Sequence, residues 1–180
     1  RASLETQGAK VAYVHAVNFS LSQRARTLFD RPNKSRIPGQ AQAKTKSGFW
    51  GIWLRKGILL IDLIRFHFWV KQLNKEGMHY LLSDRYFYDT LVNIAYLDGT
   101  QLCTPFARLA SRCIPKPDHA FYLKVTPEKV MERPRKPEQG LQYLKDKTML
   151  FDEAALLWSF TILDADQPIE NVYTHLKQSV

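Results

Sequence analysis

The sequence predicts an α/β domain, with a mostly parallel sheet flanked by helices. Three observations predict it. Short β-rich apolar runs recur at Lys10–Ala16, His79–Ser83, Ala120–Val125 and Ser159–Leu163. Helical stretches separate them, which is the alternation of a parallel sheet rather than of hairpins. Two of the runs are followed at once by aspartate, Asp84 and Asp164, which puts carboxylates at strand ends. A chain of 180 residues has the length of a single domain spanning 1–180.

Taken in order, Arg1–Gly8 reads as the last turns of a helix, with Gly8 as its C-terminal cap. Lys10–Ala16 (KVAYVHA) is the first strand. Residues 24–48 form a basic loop: Arg24, Arg26, Arg31, Lys34, Arg36, Lys44 and Lys46 stand against Asp30 alone, and Pro32, Pro38 and Gly39 break any period. Its composition suits a solvated surface and a polyanion-facing loop equally well.

Phe49–Lys75 is strongly apolar, with Trp50, Trp53, Leu54, Ile58, Leu60, Ile61, Ile64, Phe68 and Val70. Arg55, Lys56, Asp62 and Arg65 interrupt it, so the roughly 20 apolar residues of a membrane span are absent. It reads as a long helix with a core face and a partner face, closed by Gly77, and it predicts a homodimer.

His79–Ser83 and Ala120–Val125 are the second and third strands. Thr126-Pro127-Glu128 opens a helix, with Thr as N-cap, Pro in the first turn and Glu at the positive end of the dipole; Pro134 and Pro137 stop it. Leu141, Leu144, Thr148, Phe151, Ala155 and Trp158 recur at helical spacing. Ser159–Leu163 is the last strand, and a final helix runs from Pro168.

Lys and Arg number 26 against 17 Asp and Glu, a net charge of +9 that favours polyanionic partners. Two cysteines, Cys103 and Cys113, make neither a disulfide framework nor a zinc site, which suits a reducing, cytoplasmic setting.

The chemistry concentrates at Leu81-Leu82-Ser83-Asp84-Arg85-Tyr86-Phe87-Tyr88-Asp89. Ligands of open α/β sheets bind outside the carboxyl ends of the strands. Asp84 there suits Mg²⁺, and Arg85 beside it suits a phosphate, the pairing that phosphoryl transfer requires. An Asp–Arg ion pair at a helix start is the plainer reading of the same residues.

At these residues the chain resembles the thymidylate kinases, a family of P-loop nucleoside monophosphate kinases. Asp84-Arg85-Tyr86-x-x-Asp89 is similar to the family's D-R-Y-x-x-S signature. Pro117–Glu128 is similar to its fourth strand and following helix. Glu132-Arg133-Pro134-Arg135-Lys136 falls where the family carries a mobile, Arg-bearing lid, within 132–140. Leu163-Asp164-Ala165-Asp166-Gln167-Pro168 resembles the segment leading to its last helix. The resemblance covers most of the chain and implies a three-layer P-loop kinase fold and a homodimer. It implies ATP as phosphoryl donor, Mg²⁺ as cofactor, and dTMP or a related nucleoside monophosphate as acceptor. Asp84 would serve the Mg–nucleotide centre and Arg85 the acceptor phosphate. Tyr86 would flank the acceptor, with Asp89 nearby and Arg65 toward the base. Arg133, Arg135 and Lys136 would close on the donor phosphates, and Asp166 and Gln167 would lie against the donor adenine. The basic turn Arg133–Lys136 reads equally as a solvated surface.

Asp89 stands where the family usually has Ser, either gripping a sugar hydroxyl or capping the following helix. Asn93 stands where an aromatic residue is common. No G-x-x-x-x-G-K-[ST] occurs; Pro38-Gly39-Gln40-Ala41-Gln42-Ala43-Lys44-Thr45 has Pro and Ala at the two glycine positions and follows no strand. In the family that loop follows the central strand, so the chain reads as an N-terminally truncated domain. A sheet without that strand would fall into two half-sheets. Two other readings compete: a kinase relative with a different small acceptor, and a non-enzymatic basic module binding nucleotides or nucleic acid. The second is disfavoured, because the basic residues gather in one loop without interleaved aromatics.

Overall fold

A β-strand followed by a long helix returns to its sheet most simply as a parallel neighbour. The chain does this twice in a computed structural model that describes residues 5–6, 8–21, 49–134 and 137–179. Val11–His15 (β1) leads through a short helix, Ala16–Phe19 (α1), and the long helix Phe49–Lys75 (α2) to Tyr80–Asp84 (β2). The two strands pair in parallel, with Val11 opposite Tyr80 and His15 opposite Asp84. Phe87–Asp98 (α3) and Pro105–Cys113 (α4) follow. Phe121–Lys124 (β3), Pro127–Glu132 (α5) and Gly140–Leu157 (α6) then lead to Thr161–Asp164 (β4), which pairs in parallel with β3, Lys124 opposite Asp164. Ile169–Gln178 (α7) closes the order.

The architecture is mixed α/β, and every strand pairing among the described residues is parallel. The strands form two separate two-stranded sheets, β1–β2 and β3–β4, rather than one continuous sheet. Strand limits also move. The second strand runs one residue further than the apolar run, so that Asp84 is its last residue, and the fourth strand is Thr161–Asp164 rather than 159–163. The latter shift has a local cause. Ser159 takes a left-handed φ of 55° and Phe160 N–H donates to Ala155 O at 3.0 Å, so these residues finish α6 instead of starting β4. The basic loop at 24–48, the segment 38–45 and the lid residues Arg135 and Lys136 lie outside the described residues.

Helix α3 is the centre of the core. It buries Phe87, Leu91, Val92, Ile94 and Ala95 and packs against α2, α4 and α6. From α2 come Ile52, Leu59, Leu63 and Phe66, and from α4 the small residues Ala107 and Ala110. Phe66, Phe87 and Tyr86 meet edge to face at 4.9–5.7 Å between ring centroids. Val14 and Leu81 turn toward this core, while Tyr13 and Tyr80 stand exposed on the opposite face of the first strand pair.

Helix α2 ends where the sequence places its stop. Gly77 takes φ 71°, and Met78 N–H donates back to Leu73 O at 3.1 Å, a left-handed cap. The helix also has the predicted second apolar face. Opposite its buried residues run Trp50, Leu54, Gly57, Ile61, Ile64 and Phe68, all exposed, at alternating spacings of four and three. That is the 3.5-residue repeat of a helix–helix seam. Gly57 adds no side chain at its middle, and a Cβ there would meet nothing within 4 Å. Among the described residues no helix is long and apolar enough to cross a membrane.

Candidate functional site

Parallel pairing brings the last residues of β1 and β2 side by side. Side chains alternate along a strand, so Tyr13, His15 and Asp84 fall on one face. Tyr13 donates its hydroxyl to Asp84 Oδ2 at 3.3 Å, and His15 Nε2 lies 3.6 Å from the same oxygen. Loss of solvent first, and the Asp84 charge and hydrogen bond after it, raise the Tyr13 hydroxyl above its usual pKa. The other oxygen, Oδ1, accepts nothing from the described residues, and the Asp84 side chain is 57% exposed. His15 Nδ1 is buried without a hydrogen-bond partner. Sequence reasoning missed His15 and Tyr13. Their only signal was position in the KVAYVHA run, and the register that sets them against Asp84 spans 69 residues or more.

Arg85 follows in a left-handed backbone conformation, φ 57°. A non-glycine residue there carries strain of about 1–3 kcal/mol, which persists where surrounding structure enforces it. Here Ser83 donates its hydroxyl to Arg85 O at 2.7 Å, clamping the turn. The turn sets the helix start: the N-cap of α3 is Tyr86, without a side-chain cap bond. The capping reading of Asp89 is therefore corrected. Asp89 lies in the first turn of α3, where its charge still meets the positive end of the dipole. Its Oδ2 accepts from Asn93 Nδ2 at 3.0 Å and lies 3.6 Å from Arg85 NH1.

Tyr86 packs among Phe66, Phe87 and Tyr88, and its hydroxyl donates to Pro115 O at 2.8 Å. Burial pushes that hydroxyl far above the ordinary tyrosine range. The Tyr86 ring is thus a core anchor that ties the segment after α4 to the Asp84–Arg85 turn.

The remaining expected residues stand apart from this cluster. Arg65 donates to Asp62 Oδ1 at 2.8 Å and to Phe19 O at 3.4 Å, with its guanidinium over the Phe19 ring. Asp62 is only 2% exposed and also accepts from Ser20 Oγ at 2.6 Å and from Leu21 N–H at 3.1 Å. The pair fastens the segment after β1 onto α2. Asp166 accepts the Thr126 N–H at 3.2 Å and lies 3.8 Å from Lys129 Nζ, so it caps α5 across the β3 and β4 loops. Gln167 donates to Asp164 at 3.1 Å; the Asp166 N–H and this amide hold the Asp164 carboxyl below its ordinary pKa. Arg133 is exposed at the end of α5.

The residues present fit a hydrated Mg²⁺ at Asp84. That ion takes one or two protein carboxylates, with water and phosphate oxygens completing its shell, and Asp84 offers one open oxygen. Among the described residues no three His, Cys, Asp or Glu side chains converge on a point. Compared with protein-family models and with curated proteins, the chain shows no significant match.

Proposed function

We propose that the protein is a thymidylate kinase-like nucleoside monophosphate kinase of the cytoplasm, transferring the γ-phosphoryl group of Mg-ATP to dTMP or a related nucleotide. The observation that carries the reading is the turn at Asp84–Arg85. An exposed carboxylate ends a parallel strand, and a non-glycine Arg held at φ 57° follows it directly. Strain of this kind gathers where a side chain must point at a ligand.

In this reading Arg85 takes the phosphate of dTMP or a related nucleoside monophosphate, since its guanidinium presents paired N–H donors. Asp84 would hold a Mg²⁺, which when bound would neutralise charge at the transferring phosphoryl group. Tyr13 donates to Asp84 Oδ2 with His15 Nε2 3.6 Å from the same oxygen, and Oδ1 accepts nothing from the described residues. The reaction is in-line transfer. A phosphate oxygen of the acceptor bonds to the γ-phosphorus of ATP, the bond to the β-phosphate oxygen breaks, and ADP leaves. The Asp84–Arg85 turn serves the acceptor and the metal in this reading, while Arg133, Asp166 and Gln167 serve the donor nucleotide. Asn93 presents no aromatic face to a base, which favours an acceptor other than dTMP among the related nucleotides.

The exposed seam of α2 supports a homodimer. Its exposed Trp50, Leu54, Ile61, Ile64 and Phe68 form an apolar stripe of the kind that stable helix–helix interfaces bury. Nucleic acid is not the proposed partner.

The test is transfer from Mg-ATP to a panel of nucleoside monophosphates by the intact protein. Asp84→Asn is expected to cut turnover by orders of magnitude with an unchanged melting temperature, because an exposed strand-end carboxylate carries little packing. No transfer to any acceptor by the wild type, or an Asp84→Asn enzyme within twofold of it, would refute the reading.

A further inference from the structure

A string of side chains runs from Arg85 into the helical layer. Asp89 Oδ2 lies 3.6 Å from the Arg85 guanidinium and accepts from Asn93 Nδ2 at 3.0 Å. Asn93 Oδ1 in turn accepts from the ammonium of Lys147 on α6. Lys147 is 8% exposed, and its charge sits over the rings of Tyr96 and Phe151.

An ammonium only donates and an ionised carboxylate only accepts, so the amide between them has a single workable orientation. Its oxygen faces Lys147 and its nitrogen faces Asp89. The cation on α6 thereby polarises the amide that donates to Asp89. Asp89 Oδ2 is shared between Asn93 and Arg85, and the Arg85 contact is well beyond the 2.7–2.9 Å or so of a full charge-assisted bond. The carboxylate therefore leans on the guanidinium without consuming its N–H donors.

We propose that Lys147, acting through Asn93 and Asp89, is a positioning residue that holds the Arg85 guanidinium in orientation for a phosphate-bearing ligand at the carboxyl end of β2. The proposal rests on the reading of Arg85 as an anion site only for the identity of that ligand. The string itself couples α6 to the strained turn. An arginine oriented before the ligand arrives loses less side-chain freedom on binding it.

The experiment follows the Arg85 Nε–H resonance in ¹⁵N-labelled protein, assigned by its loss in Arg85→Lys, with inorganic phosphate as the probe. Lys147→Met and Asn93→Ser are each expected to shift and broaden that resonance without ligand. Each is also expected to weaken phosphate binding about tenfold, the scale of one lost hydrogen bond to a charged group. Lys145→Met, on the exposed side of the same helix beside Glu128, is expected to change neither. Asn93→Ser keeps the test open if Lys147→Met fails to fold. An unchanged Arg85 resonance in the folded variants overturns the string. A wild type that takes no phosphate, with the resonance shifts present, overturns the anion-site reading and leaves the string standing.

Discussion

Helix α2 gives two neighbouring residues opposite roles. Leu63 is 2% exposed and Ile64 is 60% exposed, one position apart on a helix with apolar residues on both faces. If the second face is a two-fold seam, Ile64→Asp breaks the dimer and spares the fold. Ile64 exposes on the order of 100 Å² of apolar surface, and a two-fold contact covers it twice. At about 25 cal/mol per Å² that is at most about 5 kcal/mol, and about half of it for partial coverage. The dimer dissociation constant should then rise about 30- to 150-fold, before any repulsion between the two new carboxylates is counted. Light scattering at tens of micromolar should give a dimer for the wild type and a monomer for Ile64→Asp, with melting temperatures within a few degrees of one another. Leu63→Asp, by contrast, places a charge in the core and should abolish cooperative melting. A folded wild-type monomer, or an Ile64→Asp chain that stays dimeric, refutes the seam.

Arg85→Gly removes the strain of a left-handed arginine and should stabilise the fold by about 1 kcal/mol, net of a weak exposed ion pair with Asp89, while abolishing phosphate binding; urea denaturation showing a loss of stability would refute the strain argument. Asp62→Leu removes the shared acceptor of Ser20 Oγ, the Leu21 N–H and the Arg65 guanidinium, and should cost about 3 kcal/mol, the low end for a broken buried pair because Arg65 keeps Phe19 O and some access to water. A loss below about 1 kcal/mol in the same assay would show that the segment after β1 is not fastened there. Burial first, and the Asp152 charge second, push the Tyr122 hydroxyl up to about 12. Its folded-state value is raised above the unfolded one, so its contribution is complete below about pH 10 and lost as pH climbs toward about 12. Thermal melts should fall across that window and fall less steeply in Tyr122→Phe; a flat profile refutes the assignment.

What the sequence showed and what it hid divide along a physical line. Local patterns were legible: the long apolar helix with its Gly77 cap, the strand that runs into Asp84, and Thr126-Pro127 at the head of α5 all depend on neighbours within a few residues. The division of the strands into two half-sheets was also within reach of that reasoning, although nothing in it set their limits. Helix α4 was missed although its signals are local: Thr104 caps it through the Ala107 N–H, Pro105 opens it, and Phe106, Ala107, Ala110 and Ile114 recur at helical spacing between Arg108, Ser111 and Arg112. Asp62 looked like an interruption in an apolar run and is instead a buried acceptor for Ser20, Leu21 and Arg65. Asp89 looked like a cap because the left-handed turn at Arg85, which starts the helix at Tyr86, has no residue-type signal; glycine would have announced it. His15 against Asp84 and Lys147 against Asn93 are contacts across 69 and 54 residues, fixed by strand register and helix packing. The groups around Asp84 and Arg85 were therefore invisible in the segment that contains them. The string through Lys147 is a part of this cluster that only the fold assembles, and under the proposed function it is what would separate a structural ion pair from an oriented phosphate site. In that proposal Asp89, fixed by the amide that Lys147 holds, orients the guanidinium at 3.6 Å without occupying its N–H donors.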